Sequence, residues 1–374
     1  MADPALLPYR TAALSHEHVI GTLLLGVLAT LGVVTSPVPT PLSRRLFLAG
    51  SLSAALLGGL SACGGDEPAP APSVSPTPTF PVTVQHLYGA TTVKAEPKRI
   101  VVIGYTEQDT LLALGVVPIA TTQWVGDAPY AVFPWAVDQL GDAKPTVLES
   151  AEGLSIQAIT ELKPDLIIGT NAGLSQEAYT KLSKIAPTIP NSGVYGNEFY
   201  EPWPTQTVIV GQAVGREAQA QKLVDDLTQR FAEVAVAHPK WDGTTAGFVE
   251  APYDDGSVIA WPAGLGTGFL TDLGFTIPKS FAKFVDDEVA QAQISAKDVG
   301  VLNDAEVLVW GTDVAGDGVD IQQDKILGKL DAVKEGRSVF TGDELASAIY
   351  FSTILSLPYV LDRLVPELEK VLPG

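Results

Sequence analysis

Few side chains in this chain could do covalent or metal chemistry. Histidine occurs four times, at His16, His18, His86 and His238, and cysteine once, at Cys63. Two of the histidines lie near the start and the other two are far apart, so a three-histidine metal site is not expected. One cysteine excludes an internal disulfide and a cysteine-cluster metal site. Carboxylates are plentiful, but no pair is singled out as acid and base. There is no G-x-S-x-G elbow and no Walker loop, and the turn after the first buried-type strand reads GYTEQD (104–109), without the dinucleotide-binding glycines. The set argues against an enzyme. Aromatic side chains stand out instead: Trp124, Tyr130, Trp203 and Trp261 in loop-like stretches, with Tyr105 and Tyr253 beside short polar clusters. Those clusters are Tyr105-Thr106-Glu107, Thr170-Asn171, Glu250 with Tyr253, and Thr312-Asp313. Aromatic walls with a few polar anchors suit the capture of an amphipathic small molecule. Trp135, between Pro134 and Ala136, reads as structural, and Glu107 also reads as a helix N-terminal carboxylate.

The elements that must position these residues alternate strand and helix. KRIVVIG (98–104) is a continuous apolar strand, and TEQDTLLALG (106–115) a helix with Thr106 as N-cap and Gly115 past its end. VVPIATT and APTIP read as further strands, with a helix around 175–185 between them. One phrase occurs twice: AITELKPDLIIGT (158–170) and DVGVLNDAEVLVWGT (298–312) each run from helix into an apolar strand ending in Gly-Thr. TTAGFVE (244–250) and GRSVFTG (336–342) complete a second set of strands, followed by one long amphipathic helix over 344–370. The order predicts α/β architecture: two Rossmann-like lobes with parallel sheets and a ligand cleft between them. Between the two sets, 215–239 shows apolar residues at Leu223, Leu227, Phe231 and Val234 and no proline or glycine from 216 to 237. That predicts one helix of about 22 residues, roughly 33 Å long, joining the lobes and leaving little hinge freedom. Ligands of open α/β sheets sit beyond the carboxyl ends of the strands, where the polar clusters fall.

The chain of 374 residues is 46% hydrophobic and carries a net charge of −20. That size allows two domains, and that charge excludes nucleic acid as a partner, because phosphate contacts need a basic stripe. The first 62 residues read as an export leader. Arg44-Arg45 resembles a twin-arginine signal, and LSAC (60–63), after an apolar run, resembles a lipoprotein box in which Cys63 is acylated. A second apolar run, Ile20–Val34, precedes the arginines and is shorter than a bilayer span of roughly 20 residues. Either translation starts beyond Met1, so that 1–42 is not made, or the run is an uncleaved, membrane-associated extension. GGDEPAPAPSVSPTPTF (64–80) is a Pro-rich tether that could reach about 50 Å.

The segments KRIVVIGYTEQDTLLALGVVPIATT, YAVFPWAVDQLGDAKP, ITELKPDLIIGT, YTKLSKIAPTIP, VIVGQAVGREAQAQKLV and LSLPYVLDRLVP carry a resemblance over 82–371. The chain resembles the substrate-binding lipoproteins of ATP-driven iron-siderophore importers, in the subgroup whose two lobes are joined by one helix. The resemblance implies a leader (1–62), a lipidated tether (63–81), an N-terminal lobe (82–214), a connecting helix (215–239) and a C-terminal lobe (240–374). It also implies a monomer, anchored at the extracytoplasmic face of the cytoplasmic membrane and capturing ferric chelates for a permease. Tyr105, Thr106, Glu107, Trp124, Tyr130, Asn171, Trp203, Tyr253, Trp261, Thr312 and Asp313 are the expected ligand contacts. A surface glutamate on each lobe commonly meets the permease in such proteins. Here those positions hold Gln157 and either Lys297 or Asp298, so Glu152, Glu161 or Asp298 serves instead, or the membrane partner differs. The departure keeps open a second reading, an accessory or scaffold protein on another membrane complex. No cofactor is expected beyond the lipid. The five arginines beyond the leader fall at no expected strand end, which favours a near-neutral hydroxamate or mixed phenolate chelate over an anionic one. Haem could be held by a tyrosine, but no histidine is placed to help.

Overall fold

The computed structural model describes residues 78–372 except 125–127, 150–152, 196–200, 251, 254, 286–290 and 315. Cys63, the twin arginine, the apolar run and most of the tether lie outside the described residues.

Two five-stranded sheets form the body. The first is built from β3 (Ile100–Val102), β4 (Ala120–Thr122), β5 (Thr146–Leu148), β6 (Leu166–Gly169) and β7 (Thr188–Pro190), in the order β5-β4-β3-β6-β7. Every pairing in it is parallel, as the continuous apolar runs predict for strands covered on both faces. An antiparallel hairpin not expected from the sequence, β1 (Val82–His86) with β2 (Gly89–Val93), precedes it. The second sheet has β8 (Ala246–Glu250), β9 (Val258–Ala260), β10 (Ala292–Ile294), β11 (Val307–Gly311) and β12 (Ser338–Phe340), in the order β10-β9-β8-β11-β12. Here β8, β11 and β12 are parallel, but β9 runs antiparallel to β8 and β10 antiparallel to β9. The link between β8 and β9 is too short for a helical crossover, so the chain turns back as a hairpin. FTIP (275–278) makes a parallel bridge from Thr276 to Thr245.

The repeated phrase occupies the same place in each sheet. β6 and β11 both stand fourth in strand order and both end in glycine. A Cβ on Gly169 would come within 2.7 Å of the Ile103 side chain, and one on Gly311 within 2.8 Å of the Tyr350 hydroxyl. Each strand therefore ends under a close-packed side chain that would have to shift to admit a Cβ.

Among the described residues, the α-helices of six or more residues are α1 (Glu107–Ala113), α2 (Ile156–Glu161), α3 (Gln176–Leu182), α4 (Trp203–Ala213), α5 (Glu217–Ala237), α6 (Asp317–Gln323), α7 (Gly342–Phe351) and α8 (Ser356–Val371). α1 ends as predicted, with Gly115 at φ +70°. α5 is the expected connecting helix and buries Ala220, Val224, Leu227 and Phe231, a helical stripe. It is the second arm of a helical hairpin: α4 turns into it at Gly215 (φ +71°), and Gly211 lies so close to Ala220 that a Cβ would collide. The long helix expected over 344–370 is two helices. The chain breaks at Ser352, in the left-handed region at φ 46° and ψ 55°, and restarts with Pro358 in the first turn of α8. Proline fits there because first-turn N–H groups have no intrahelical acceptor.

Candidate functional site

The turns that leave β3 and β6 are filled with polar side chains bonded to one another. Glu107, the first residue of α1, is 0% exposed. Its carboxylate accepts from the backbone N–H of Thr106 (3.0 Å) and of Asn171 (2.7 Å) and from the Thr170 hydroxyl (3.1 Å). Burial pushes its pKa up, and those three bonds oppose the shift. Gly104 makes room for it, since a Cβ there would overlap the carboxylate. Thr106 does not cap α1 with its side chain. Its hydroxyl accepts instead from the amides of Asn171 and Gln206, both at 2.9 Å. Asn171 Oδ1 in turn accepts from the Glu201 N–H at 2.6 Å, and the Glu201 carboxylate holds Ser192. Thr106, Glu107 and Asn171 are thus buried struts between the β3–α1 turn, the end of β6 and the start of α4. Thr312 plays the same part in the second sheet: 2% exposed, it exchanges hydrogen bonds with Thr341 and Gly342. The polar groups of these four residues are engaged by neighbouring turns, so they brace the strand ends at which ligand contacts are expected.

Above the struts runs a band of aromatic rings that links the two sheets. Tyr105 stacks on Trp124 with centroids 5.6 Å apart. Trp124 meets Phe351 at 5.1 Å, and Phe351 also meets Phe133 (4.7 Å) and Trp135 (5.2 Å). Phe351 is the last residue of α7, which follows the second sheet's last strand, so its ring joins the two halves. Its neighbour Tyr350 lies 6.2 Å from Trp261 and 5.6 Å from Phe248. A small recess opens here, lined by Phe248, Trp261, Gly266, Ile349, Tyr350 and Ser352. Of the expected contacts, Tyr105 and Trp124 meet directly, and Trp261 is linked to them through Tyr350 and Phe351, neighbours on α7. Tyr130 and Trp203 are half-buried and pack on the large apolar cluster that continues from one half into the other. Trp135 is 8% exposed and structural: it stacks on Phe133 and donates from Nε1 to Asp109 Oδ2 at 2.8 Å. Sequence reading missed Phe351 and Tyr350, because they were assigned to the middle of a helix rather than to its end.

Charge at the band is negative. Glu250, at the end of β8, accepts from Trp261 Nε1 at 3.2 Å and from the Tyr253 hydroxyl. Burial first, then the charge of Asp313, pushes its pKa up to about 7. Asp313 follows β11, whose Gly311 pairs with Glu250. Burial and the carboxylates of Asp343 and Asp317 raise its pKa too, and Asp343 is raised by burial and Glu344. No lysine or arginine offsets these shifts among the described residues. The arginines are engaged elsewhere: Arg99 on the carbonyls of Leu162 and Lys163, Arg216 on that of Leu114, Arg230 on Asp362, Arg337 on Glu335, and Arg363 over the Tyr359 ring at 3.4 Å. Among the described residues no group of three or more His, Cys, Asp or Glu side chains could hold a metal ion.

At the expected docking positions, Gln157 is exposed and its amide donates to Glu161 at 2.9 Å. Asp298 accepts from the Ser295 hydroxyl at 2.6 Å. Glu152 lies outside the described residues.

Comparison with known proteins accords with this architecture. The profile of the periplasmic binding protein family matches residues 100–345, and the chain belongs to that family. A periplasmic solute-binding protein from Mycobacterium smegmatis, solved by crystallography, shares 42% identity and a TM-score of 0.72, covering 78% of this chain and 98% of that one. Streptococcus pneumoniae PiaA, solved in complex with ferrichrome, shares 26% identity and a TM-score of 0.66 over 78% and 98%. A protein of Bacillus subtilis named as a probable siderophore-binding lipoprotein, YfiY, is 33% identical over 177 residues, 47% of this chain and 50% of that protein. Its match thus spans half of that relative's length.

Proposed function

We propose that this chain is the capture component of an iron-siderophore importer. In this reading a ferric siderophore is bound whole between the lobes (82–214 and 240–374, joined through 215–239), with iron kept in the siderophore's own coordination. The chain is a monomer, exported by the twin-arginine route and anchored outside the cytoplasmic membrane through lipid on Cys63. The observation that carries the reading is the aromatic band from Tyr105 and Trp124 through Phe351 and Tyr350 to Trp261, crossing between the sheets where strands end. Relatives named for siderophore or ferrichrome binding support the ligand class.

The carboxylates beside the band support a near-neutral hydroxamate or mixed phenolate chelate. Asp313, Asp317 and Asp343, with no arginine among the described residues to answer them, disfavour a tris-catecholate or ferric citrate, and Glu250, with its pKa pushed up to about 7, adds part of a charge near neutral pH. The test is a tryptophan-fluorescence titration with a ferric trihydroxamate, a mixed phenolate chelate, a tris-catecholate, ferric citrate and haem. Saturable quenching by one of the first two, at least tenfold tighter than by the anionic pair, is expected. Tight binding of the anionic chelates or of haem would reverse the charge argument.

A second reading, a lipid-anchored accessory protein on a different membrane complex, draws on the docking positions. Gln157 carries no charge, and Asp298 is occupied by Ser295. Silence across the chelate panel, with co-purification of a membrane complex other than a siderophore permease, would favour it.

A further inference from the structure

We propose that Asp109 is a positioning residue of the ligand cleft: from α1 it holds, through Thr353, the α7–α8 corner that carries Tyr350 and Phe351 into the aromatic band. The inference rests on reading that band as the ligand wall.

Asp109 is 1% exposed. Its Oδ2 accepts from Trp135 Nε1 at 2.8 Å, on its own side, and from the Thr353 hydroxyl at 2.6 Å, on the other side. Its Oδ1 is buried with no hydrogen-bond partner among the described residues. Neither donor is a cation, so this is no salt bridge. A buried carboxylate is costly to hold, and an aliphatic side chain could fill the same space. What it adds is direction: a short hydrogen bond fixes one position of its partner, which apolar packing does not.

The partner is well chosen for that. The Thr353 Oγ1 also accepts the N–H groups of Leu355 (3.3 Å) and Ser356 (2.9 Å), and its own N–H donates to Ser356 Oγ at 2.9 Å. The hydroxyl therefore closes the first turn of α8. One residue earlier Ser352 is left-handed, and one earlier again is Phe351, 4% exposed among Trp124, Phe133 and Trp135. Displacing Thr353 must displace the corner, and with it both rings.

Hydrogen exchange and ferrichrome titration of the full chain test this. Thr353→Val keeps the shape and removes the hydroxyl. In the ligand-free protein it is expected to speed exchange of the 352–356 amides at least tenfold, and to weaken ferrichrome binding at least tenfold. Thr353→Ser, which restores the hydroxyl, brings both back within threefold of wild type. A folded Thr353→Val protein with wild-type exchange at the corner and wild-type affinity would overturn the proposal. Because Thr353→Val also removes the bonds to Leu355 and Ser356, the variants at 109 decide the part played by Asp109. Asp109→Leu leaves those bonds in place and is expected to speed corner exchange at least tenfold, whereas Asp109→Asn, whose amide oxygen still accepts from Thr353, stays within threefold; a folded Asp109→Leu protein with wild-type exchange at the corner would overturn the proposal. If the wild-type chain binds no chelate at all, the ferric-chelate reading falls, while the exchange comparison still decides whether Asp109 holds the corner.

Discussion

Trp124 and Trp261 stand at opposite ends of the aromatic band, one leaning on Tyr105 and Phe351, the other on Tyr350 and on Glu250. Each is half-buried, so each offers a face to a ligand while the rest is held. Trp124→Ala and Trp261→Ala are expected to weaken chelate binding at least tenfold, about 1.4 kcal/mol. Unchanged affinity in both would remove the band from the site. Glu250 supplies a pH signature. Its folded pKa, about 7, lies above the ordinary 4.5, so the folded state holds that proton more tightly than the unfolded chain does. Its contribution to stability is full below about pH 4.5 and is lost as pH rises through 7. Glu250→Gln should flatten melting temperature against pH across that window, read by scanning calorimetry. The aromatic residues were legible in the sequence because loop tryptophans flanked by strand ends are conspicuous. Phe351 was not, because nothing in IYFST (349–353) marks a left-handed residue until the corner around it is built.

At the scale of elements, two turns decide how the site is presented. The β3–α1 turn works only because Gly104 has no side chain where the Glu107 carboxylate lies. Gly104→Ala should cost at least about 2 kcal/mol in denaturant unfolding, since it expels a bonded carboxylate or distorts the turn. The α7–α8 corner works through Ser352 at φ 46°. Ser352→Ala should cost about 1 kcal/mol, and Ser352→Gly should be near neutral, because glycine adopts that conformation without a Cβ clash. Equal losses for the two would mean that the serine hydroxyl, which donates to Ile349 O at 2.6 Å, matters more than the backbone. Pro358 was a readable sign that a helix starts nearby, and reading it as interior merged α7 with α8.

For the whole molecule, the lobes are joined by one connecting helix and by side-chain contacts across the cleft. α5 has 21 residues, about 32 Å of continuous helix. The Asp109–Thr353 bond and the Phe351 rings add a tie close to the ligand site. Both oppose a wide hinge motion, so ligand-free and ligand-bound protein should differ by a small lobe rotation. X-ray scattering should find a radius of gyration that changes by less than about 1 Å on chelate binding. A larger contraction would show that these ties open.

The amino-acid sequence by itself determined the α/β class, the two repeated halves and the long helix between them. These follow from hydrophobic period, glycine stops and residue type, all of which act over a few neighbours. Only the tertiary structure decided which of the polar residues at the strand ends are bonded to one another. Thr106, Glu107, Asn171 and Thr312 read as ligand anchors in one dimension, and in the fold they are also bonded to partners 29 to 100 residues away. It also decided that an aspartate in the first half and a threonine 244 residues later share one hydrogen bond. Such pairings depend on how folded elements meet, and no local pattern encodes that meeting.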